Sequence, residues 1–230
     1  MVRKVFRPDK KALQKRRMMN YFIEAASQII EEEGLEAVTI RKVADIAGYN
    51  SATLYNYFEN LDHLIFFSQL KHLKIYVVHL SDYVRDAKNA LEKYFLIWEF
   101  FCYHSYQEPL VFHTLFFEKF KQPLRHMMEE YYTLFPEESE GISEDIEPMV
   151  MNQDLYKRNM SLLVNCMNEG LLREDHLEGL NEMSLLVYQG MLQRMLSKQS
   201  DYTPKEATQR TMKYIKEYTM MYAVQRDDAE

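Results

Sequence analysis

Apolar residues recur every three or four positions along almost the whole chain, and this periodicity constrains the fold more than any other feature. Residues at that spacing share one face of an α-helix. No segment of the 230 residues alternates apolar and polar side chains as a half-buried strand does. Only 6 Gly and 6 Pro interrupt the pattern, and 47% hydrophobic residues are enough to bury a sizeable core. The sequence therefore predicts an all-α fold.

Capping residues divide the periodic stretches into separate helices. The first helix starts near Lys15 and ends at Gly34, and Thr39 caps a second helix that Gly48 ends. Asn50 or Ser51 caps the third helix. Asn60 caps a long fourth helix over about residues 61–88. Further helices are predicted over residues 90–107, 109–120, 123–134, 155–169, 180–198 and 204–225.

Positive charge is concentrated at the N-terminus. The first 30 residues contain eight Lys or Arg and two acidic residues, a net charge of +6. The whole chain carries −7, so the other 200 residues carry −13. A basic end on an acidic body suggests that this end alone meets a polyanion. A solvated, disordered arm over residues 1–13 accounts for the composition equally well.

Several classes of protein are disfavoured by the sequence. Cys102 and Cys166 have no metal-ligand spacing, so we expect two reduced, packed thiols and neither a disulfide nor a zinc site. The most apolar run, residues 94–103, is too short to span a bilayer, and no signal-peptide core follows the basic N-terminus. We expect a soluble, cytoplasmic protein without a membrane partner. Metal-ligand pairs, a phosphate loop and a nucleophile–base spacing are missing, which predicts no cofactor and no enzymatic activity.

The third predicted helix carries more hydroxyl and amide groups than a core helix needs. Leu54 and Phe58, four residues apart, take its inward face. Two short helices joined at Gly48 after an upstream helix form a helix-turn-helix, in which the third helix of the set enters the major groove of DNA. Thr39 can offer its hydroxyl and a helix N-terminus to a phosphate, and Arg41 can reach a base or the backbone. The candidate DNA-contacting residues are Thr39, Arg41, Ser51, Ala52, Thr53, Tyr55, Asn56 and Tyr57.

Residues 25–64, "AASQIIEEEGLEAVTIRKVADIAGYNSATLYNYFENLDHL", resemble the DNA-binding domain of TetR-family transcriptional regulators. The shared features are the glycine after the first helix, "TIRKVA", the Ala-Gly turn and "TLYxYF". The resemblance implies a homodimer that binds an inverted repeat in double-stranded DNA through the eight residues above. It also implies three regions: an arm over residues 1–13, a DNA-binding domain over 14–60 and an effector-binding and dimerisation domain over 61–230.

Two positions depart from the pattern of the resembled family. Leu61 stands where many members have a lysine that contacts a phosphate, so that contact is expected to be missing. Tyr49 replaces a small apolar turn residue, so the turn is expected to pack differently. The basic arm could replace the lost contact by lying along the DNA backbone or in the minor groove.

Aromatic and Met residues crowd the helices after residue 61, and most of them must form core. Polar residues on the apolar face of a helix are not explained by core packing, because burying a polar group without a partner costs free energy. Glu99 and His113 are the clearest cases, although such groups can also be satisfied internally or exposed. Together they predict a largely apolar pocket for a small aromatic or amphipathic effector. The candidate ligand-binding residues are Gln69, His72, Tyr76, Trp98, Glu99, Tyr103, His113, Phe117, Met127 and Asn159.

The last apolar helices have two possible roles. The resemblance implies that residues 154–172 and 179–196 form a four-helix dimer interface, where Ser184 and Gly190 permit close approach. They could instead close the core of the monomer. The sequence therefore predicts a ligand-responsive DNA-binding regulator, most simply a repressor. The alternative is a helical adaptor that binds a protein through the acidic loop 135–148, but it gives no reason for the polar third helix.

Overall fold

The computed structural model describes residues 10–117, 124–136 and 154–224, without the side chains of residues 71–75, 77, 78, 124, 125 and 128. In these ranges the chain forms ten α-helices, two short 3-10 turns and one isolated β-bridge, which joins Leu172 to Ala223. The all-α prediction is therefore confirmed. The helices are α1 (Lys10–Glu33), α2 (Ile40–Ala47), α3 (Ser51–Leu54), α4 (Leu61–Tyr83), α5 (Ala90–Gln107), α6 (Pro109–Phe117), α7 (Leu124–Leu134), α8 (Leu155–Asn168), α9 (Leu177–Leu196) and α10 (Pro204–Met220).

The chain divides into two compact units, and the division falls within α4. The head unit comprises the described residues 10–73 and 124–136, and the body unit comprises residues 74–117 and 154–224. The expected domain boundaries after residues 13 and 60 stay a prediction. Helix α1 already begins at Lys10, five residues before the predicted start. Residues 1–9 of the expected arm and residues 137–148 of the acidic loop lie outside the described residues.

Side-chain caps fix the short helices of the head unit. The Thr39 hydroxyl oxygen accepts the backbone N–H of Lys42 at 3.2 Å at the start of α2. Gly48 ends α2 in the left-handed conformation, with φ of 77°. The Asn50 side chain accepts the Thr53 N–H at 2.8 Å, so Asn50 rather than Ser51 caps α3. Each cap satisfies a backbone group that a helix end leaves unpaired.

Helix α3 is a single turn, and the predicted third helix continues beyond it only as a tight turn. The Leu54 carbonyl accepts the N–H groups of both Tyr57 and Phe58 at 2.9 and 3.0 Å. Leu54 and Phe58 are nevertheless buried, as predicted. Helical periodicity therefore gave the correct inward face although the helix ends early.

Aromatic rings fill the core of the head unit. The Phe22 ring lies 5.6 Å from Tyr49 and 6.3 Å from Phe58, and Phe58 lies 5.8 Å from Phe67. Phe67 in turn contacts Tyr131 of α7 at 5.2 Å. Tyr49 at the turn therefore covers one edge of this cluster, which gives its large ring a packing role.

Helix α5 is the central element of the body unit and packs against α6, α8, α9 and α10. Its buried tyrosines are held by hydrogen bonds: Tyr94 Oη lies 2.9 Å from Ser184 Oγ, and Tyr106 Oη lies 2.8 Å from Thr211 Oγ1. The expectation that Ser184 belongs to a dimer interface is therefore wrong, because its hydroxyl is bound inside the monomer.

The two cysteines are free and buried in the body unit, as the sequence predicts. Burial disfavours the thiolate and raises the pKa of Cys166 to about 12. The pKa of Cys102 is raised for the same reason. Both side chains therefore act as small hydrophobes.

Besides the start of α1, three helix ends in the body unit differ clearly from the predicted boundaries. Helix α4 ends at Tyr83, and Asn89 caps α5 by accepting the Glu92 N–H at 2.8 Å. A 3-10 turn over Glu174–His176 leads directly into α9, which therefore starts before residue 180. Helix α10 stops at Met220 because the following residues extend to the bridge, where Val224 donates to the Leu171 carbonyl at 2.9 Å.

Candidate DNA-binding surface and ligand cleft

The residues predicted to contact DNA lie on a polar part of the head unit's surface. The Arg41 side chain is 90% exposed and Tyr55 is 56% exposed. Thr39, Ala52 and Asn56 are also exposed, and the remaining candidates Ser51, Thr53 and Tyr57 are half-buried. All eight lie at the start of α2 or on α3 and the turn after it. The fold thus presents them on consecutive short elements.

Internal hydrogen bonds limit what some of these groups can offer to a partner. The Thr53 hydroxyl donates to Asn50 Oδ1 at 3.0 Å, which leaves its lone pairs and its methyl group for a base edge. The Tyr57 ring packs 6.1 Å from Phe22 and so belongs partly to the core. The most accessible side-chain donors are therefore Arg41, Tyr55 and Asn56.

A groove of about 920 Å³ runs beside this surface in the head unit. Its basic residues sit one helical turn apart on the first turns of α1, and Lys15 also lies 3.7 Å from Glu130. The groove was not predicted, because residues 1–13 were expected to form a flexible arm. The i, i+3, i+4 spacing of Lys11, Gln14 and Lys15 would have revealed it. The groove is lined by Lys11, Ala12, Gln14, Lys15, Asn56 and Tyr57.

The body unit contains a cleft of about 300 Å³ between α4, α5, α8 and α9. Three of the ten ligand-binding candidates, Tyr76, Trp98 and Asn159, line it. Its lining is mostly apolar with a few polar groups, as in small-molecule sites, although the enclosed space is much smaller than a typical ligand site. The complete lining is Tyr76, Ile97, Trp98, Phe101, Leu155, Arg158, Asn159, Leu162 and Leu185.

A chain of buried hydrogen bonds fixes one wall of this cleft. Trp98 Nε1 donates to Asn159 Oδ1 at 2.8 Å, and Asn159 Nδ2 donates to Asn181 Oδ1 at 2.7 Å. Asn181 then donates to the backbone carbonyl of Tyr156 at 3.1 Å. Both polar ends of the Asn159 amide are thus bound internally. Asn159 therefore positions Trp98 and links α8 to α9.

Arg158 lines the cleft and was not among the predicted site residues. It is only 6% exposed, and its guanidinium lies 5.6 Å from the Phe101 ring and 5.3 Å from the Phe116 ring. Aromatic faces attract a cation and lower the cost of its burial. The sequence did contain a signal, because Arg158 falls between Leu155 and Leu162 on the apolar stripe of α8.

The Tyr76 hydroxyl lies close to Arg158 at the other side of the cleft. It makes no hydrogen bond of normal geometry within the described part of the chain. Burial raises the pKa of Tyr76, and the charge of Arg158 and its side-chain hydrogen bonding to Tyr76 oppose this only in part. The hydroxyl is therefore protonated and can donate.

The remaining ligand-binding candidates lie elsewhere. Glu99 was expected to be buried, but its side chain is 42% exposed and lies 3.7 Å from Lys216. Tyr103 is 40% exposed, and neither residue lines a described cleft. Gln69 and Met127 are buried in the head unit, and the side chain of His72 lies outside the described residues. His113 and Phe117 line a second, open cleft of about 750 Å³ along α9.

Comparison with known families agrees with the geometry of the head unit. Residues 22–66 match the family model of the bacterial regulatory proteins of the TetR family. This segment belongs to the TetR family. The matched segment begins at Phe22 of the aromatic core and includes both short helices with all eight candidate DNA-contacting residues.

Solved structures similar to this chain include three FadR proteins. FadR from Thermus thermophilus, in complex with lauroyl-CoA, is 14% identical over 92% of this chain and 98% of its own, with a TM-score of 0.56. FadR from Bacillus subtilis, in complex with stearoyl-CoA, is 14% identical over 85% and 96%, with a TM-score of 0.57. The fatty acid degradation regulator FadR from Bacillus halodurans is 15% identical over 86% and 93%, with a TM-score of 0.56. Such identities show a shared fold. The comparison with curated proteins gave no match.

Two further features concern the described residues only. None of its described helices combines the length and the apolar character needed to cross a membrane. Within the same residues no three His, Cys, Asp or Glu side chains come together as metal ligands would.

Proposed function

We propose that this regulator binds an inverted-repeat operator in double-stranded DNA as a homodimer, acts as a repressor and is released by a small ligand. One observation carries the DNA-binding part: α3 buries Leu54, and the turn that follows it presents Tyr55 and Asn56 to solvent. In a helix-turn-helix, that exposed face meets the base edges of the major groove.

The proposed contacts divide into positioning and base recognition. Thr39 keeps its own hydroxyl proton while its oxygen caps α2, so it can donate to a phosphate together with the free N–H groups of that helix end. The basic groove along α1 would hold a second stretch of backbone. Arg41, Tyr55 and Asn56 have the reach and the donors to contact bases.

The effector part of the proposal rests on the cleft of the body unit. It is enclosed mainly by apolar side chains, with Tyr76, Arg158 and Asn159 as polar residues. Two similar structures hold acyl-CoA ligands, which supports a small-molecule effector for this chain as well. Release requires the ligand to favour a conformation that cannot bind the operator, so its affinity must differ between the two states.

The homodimer is supported by the exposed face of α9. Leu186 is 57% exposed and Met183 is 37% exposed, although both are large apolar residues. Gly179 and Gly190 lie on the same helical face and are exposed. Apolar residues flanked by glycines on one helix face would allow a second helix to approach closely. A second copy of the chain is the proposed partner.

Operator selection from a random duplex library tests the DNA-binding proposal. The enriched duplex is then titrated against salt with wild type and with Arg41→Met. Arg85→Met is the matched control, because Arg85 is also exposed and also pairs with an aspartate close in sequence, but lies in the body unit. We expect Arg41→Met to cost about 1–3 kcal/mol in binding and Arg85→Met to change little. Failure to enrich any duplex at low salt, or equal losses in both variants, would contradict the proposal.

Sedimentation of charged variants tests the homodimer separately. Leu186→Glu should place a charge in the proposed interface and shift the protein towards a monomer. Met220→Glu, on another exposed apolar residue of the body unit, should leave the mass unchanged. A wild-type protein that sediments as a monomer would exclude the proposed dimer.

A further inference from the structure

We propose that the tyrosine pair of the head unit, Tyr21 and Tyr49, forms with Arg17 a second contact to DNA, which holds the sugar-phosphate backbone at the end of α3 opposite the basic groove. This inference rests on the proposed function, because it takes the head unit to bind double-stranded DNA. The contact lies outside both the eight candidate residues and the groove, and it gives Tyr49 a role besides packing.

Both members of the tyrosine pair are exposed although their rings pack in contact with each other. Tyr21 is 52% exposed and Tyr49 is 37% exposed, and their ring centroids lie 6.4 Å apart. The Tyr49 ring also lies 5.6 Å from the fully buried Phe22, which fixes its position. Within the described residues the two hydroxyls make no hydrogen bond. Each can therefore donate to a phosphate oxygen of a bound duplex.

The tyrosine pair lies beside α3 because α1 runs along α3 and the turn after it. At the C-terminal end of this stretch, Tyr57 lines the basic groove together with Lys11 and Lys15 of α1. At its N-terminal end, Tyr49 contacts Tyr21. Tyr21 follows Lys15 by six residues and Lys11 by ten, which separates the two places by about 9–15 Å along α1. The major groove is about 12 Å wide, so one head unit can reach the backbone on both of its sides.

Positive charge on the same face of α1 matches the charge of a phosphate backbone. Lys10, Gln14, Arg17 and Tyr21 follow one another at spacings of four, three and four residues, so they share one helix face, and all four are exposed. The Arg17 side chain makes no ion pair within the described chain. Glu24, the acidic residue one turn beyond Tyr21, already has a partner in the chain. An unpaired cation one turn from two exposed hydroxyls favours DNA over a protein partner.

Removal of the hydroxyls tests the tyrosine pair without changing its packing. Tyr21→Phe and Tyr49→Phe keep the ring and remove the donor. Full-length protein is titrated with the enriched operator duplex by fluorescence anisotropy. We expect each variant to bind about fivefold to tenfold more weakly than wild type, as for the loss of one hydrogen bond, with an unchanged melting temperature. Tyr214→Phe is the matched control, because Tyr214 is 51% exposed in the body unit, and it should bind as wild type does.

The salt dependence of binding tests the cation. Arg17→Met should reduce the steepness of log affinity against log salt concentration by about 1, because one phosphate contact fewer releases fewer counterions. Affinity for an unrelated duplex should fall by the same factor, since a backbone contact carries no sequence information. Arg173→Met is the control, because Arg173 is an exposed arginine of the body unit, and it should leave the salt dependence unchanged.

Neutral phosphate analogues locate the contact on the operator. A methylphosphonate at a single position removes one backbone charge and one acceptor oxygen. We expect a position at which this change weakens binding of wild type but has little further effect on Tyr49→Phe, because the hydrogen bond is already lost in that variant. The same position should weaken Tyr214→Phe as it weakens wild type.

The outcomes separate this inference from the proposed function. Operator binding by wild type is established first. Wild-type affinity in both phenylalanine variants, or an unchanged salt dependence in Arg17→Met, overturns the second contact while the operator-binding regulator stands. Unchanged operator affinity together with a smaller sedimenting mass in Tyr49→Glu assigns the tyrosine pair to a protein contact and also overturns it. If wild type enriches no duplex, the proposed function fails and the second contact fails with it.

Discussion

The head and body units use polar side chains in opposite ways. In the head unit, polar groups such as Arg41, Tyr55 and Asn56 point outward from a small aromatic core. In the body unit, Asn159 and Asn181 are buried and bonded to each other at 2.7 Å. The outward groups cost little to maintain because water satisfies them. The inward groups must be satisfied by the protein, because an unpaired buried group costs about 1–3 kcal/mol.

This difference indicates where specificity resides in each unit. A surface of exposed donors can adapt to a large partner, and each single contact contributes modestly to the free energy of binding. A buried set of amides fixes the walls of a cleft in one geometry, so loss of one member affects several neighbours. We therefore expect substitutions of buried groups to change stability in either unit, and substitutions of exposed polar groups in the head unit to change mainly binding.

The largest effect should come from the aromatic core of the head unit. Phe22 is fully buried and contacts the rings of Tyr49 and Phe58, so Phe22→Ala should lower the free energy of unfolding by about 3–5 kcal/mol. Urea unfolding followed by circular dichroism measures the loss. Tyr21→Ala is the control, because Tyr21 is 52% exposed and should cost about 0.5 kcal/mol. Similar losses in both variants would show that Phe22 is not part of a tightly packed core.

The next effect concerns the amide chain of the body unit. Asn159→Ala removes one partner each from Trp98 and Asn181, and should cost about 2–4 kcal/mol in stability. The tryptophan fluorescence of the folded variant should shift as Trp98 loses its hydrogen bond. Asn165→Ala, at an exposed position of the same helix, is the control and should change neither property. An unchanged melting curve for Asn159→Ala would mean that water replaces the lost amide and that the wall is not fixed as described.

Much of the head unit could be predicted from the sequence, because short-range rules decide its structure. Each helix end is fixed by a residue next to it: Thr39, Gly48 or Asn50. The burial of Leu54 and Phe58 follows from their spacing of four residues. These interactions join residues close in sequence. The structure confirms the predicted caps and inward faces for that reason.

The cleft of the body unit depends on residues distant in sequence, and the prediction was weaker there. Trp98 and Asn159 are 61 positions apart, and no periodicity joins them. Glu99 follows Trp98 directly, but the helical turn of 100° per residue carries it to the solvent side, where Lys216 lies 3.7 Å away. A residue can stand next to a core residue in sequence and still be exposed. Arg158 was missed because charged residues are rarely assigned to a buried face.

A smaller effect separates stability from DNA binding within the head unit. Asn50 caps α3 by accepting the N–H and the hydroxyl of Thr53 at 2.8 and 3.0 Å. Asn50→Ala should therefore cost about 1 kcal/mol in stability. Asn50→Asp keeps the cap but adds a negative charge beside the proposed DNA-binding surface. Its melting temperature should stay near wild type while its operator affinity falls, as measured by fluorescence anisotropy. An aspartate variant with normal affinity would place Asn50 away from the DNA backbone.

The smallest expected effect is a pH dependence that originates in the head unit. His63 is 2% exposed, its Nδ1 accepts the Glu59 N–H at 3.3 Å, and its Nε2 lies 3.4 Å from Glu130 Oε2. Burial lowers the pKa of His63, and the charges of Glu130 and Glu59 oppose this only in part. Lys15 and His126 lower the pKa further. His63 is therefore neutral in the folded protein near pH 7.

Acidification should destabilise the head unit through this residue. The unfolded chain binds a proton at His63 below the usual histidine pKa of about 6.5, whereas the folded chain resists protonation to a lower pH. The stability contributed by neutral His63 is thus complete above about pH 6.5 and is lost as the pH falls below it. The melting temperature of wild type should fall more steeply between about pH 7.5 and 5 than that of His63→Gln, which has no proton to bind there. His79→Gln, at an exposed position of the body unit, should follow wild type. A steeper fall in His63→Gln would show that the charge of Glu130 outweighs burial and that acid strengthens the contact between α4 and α7.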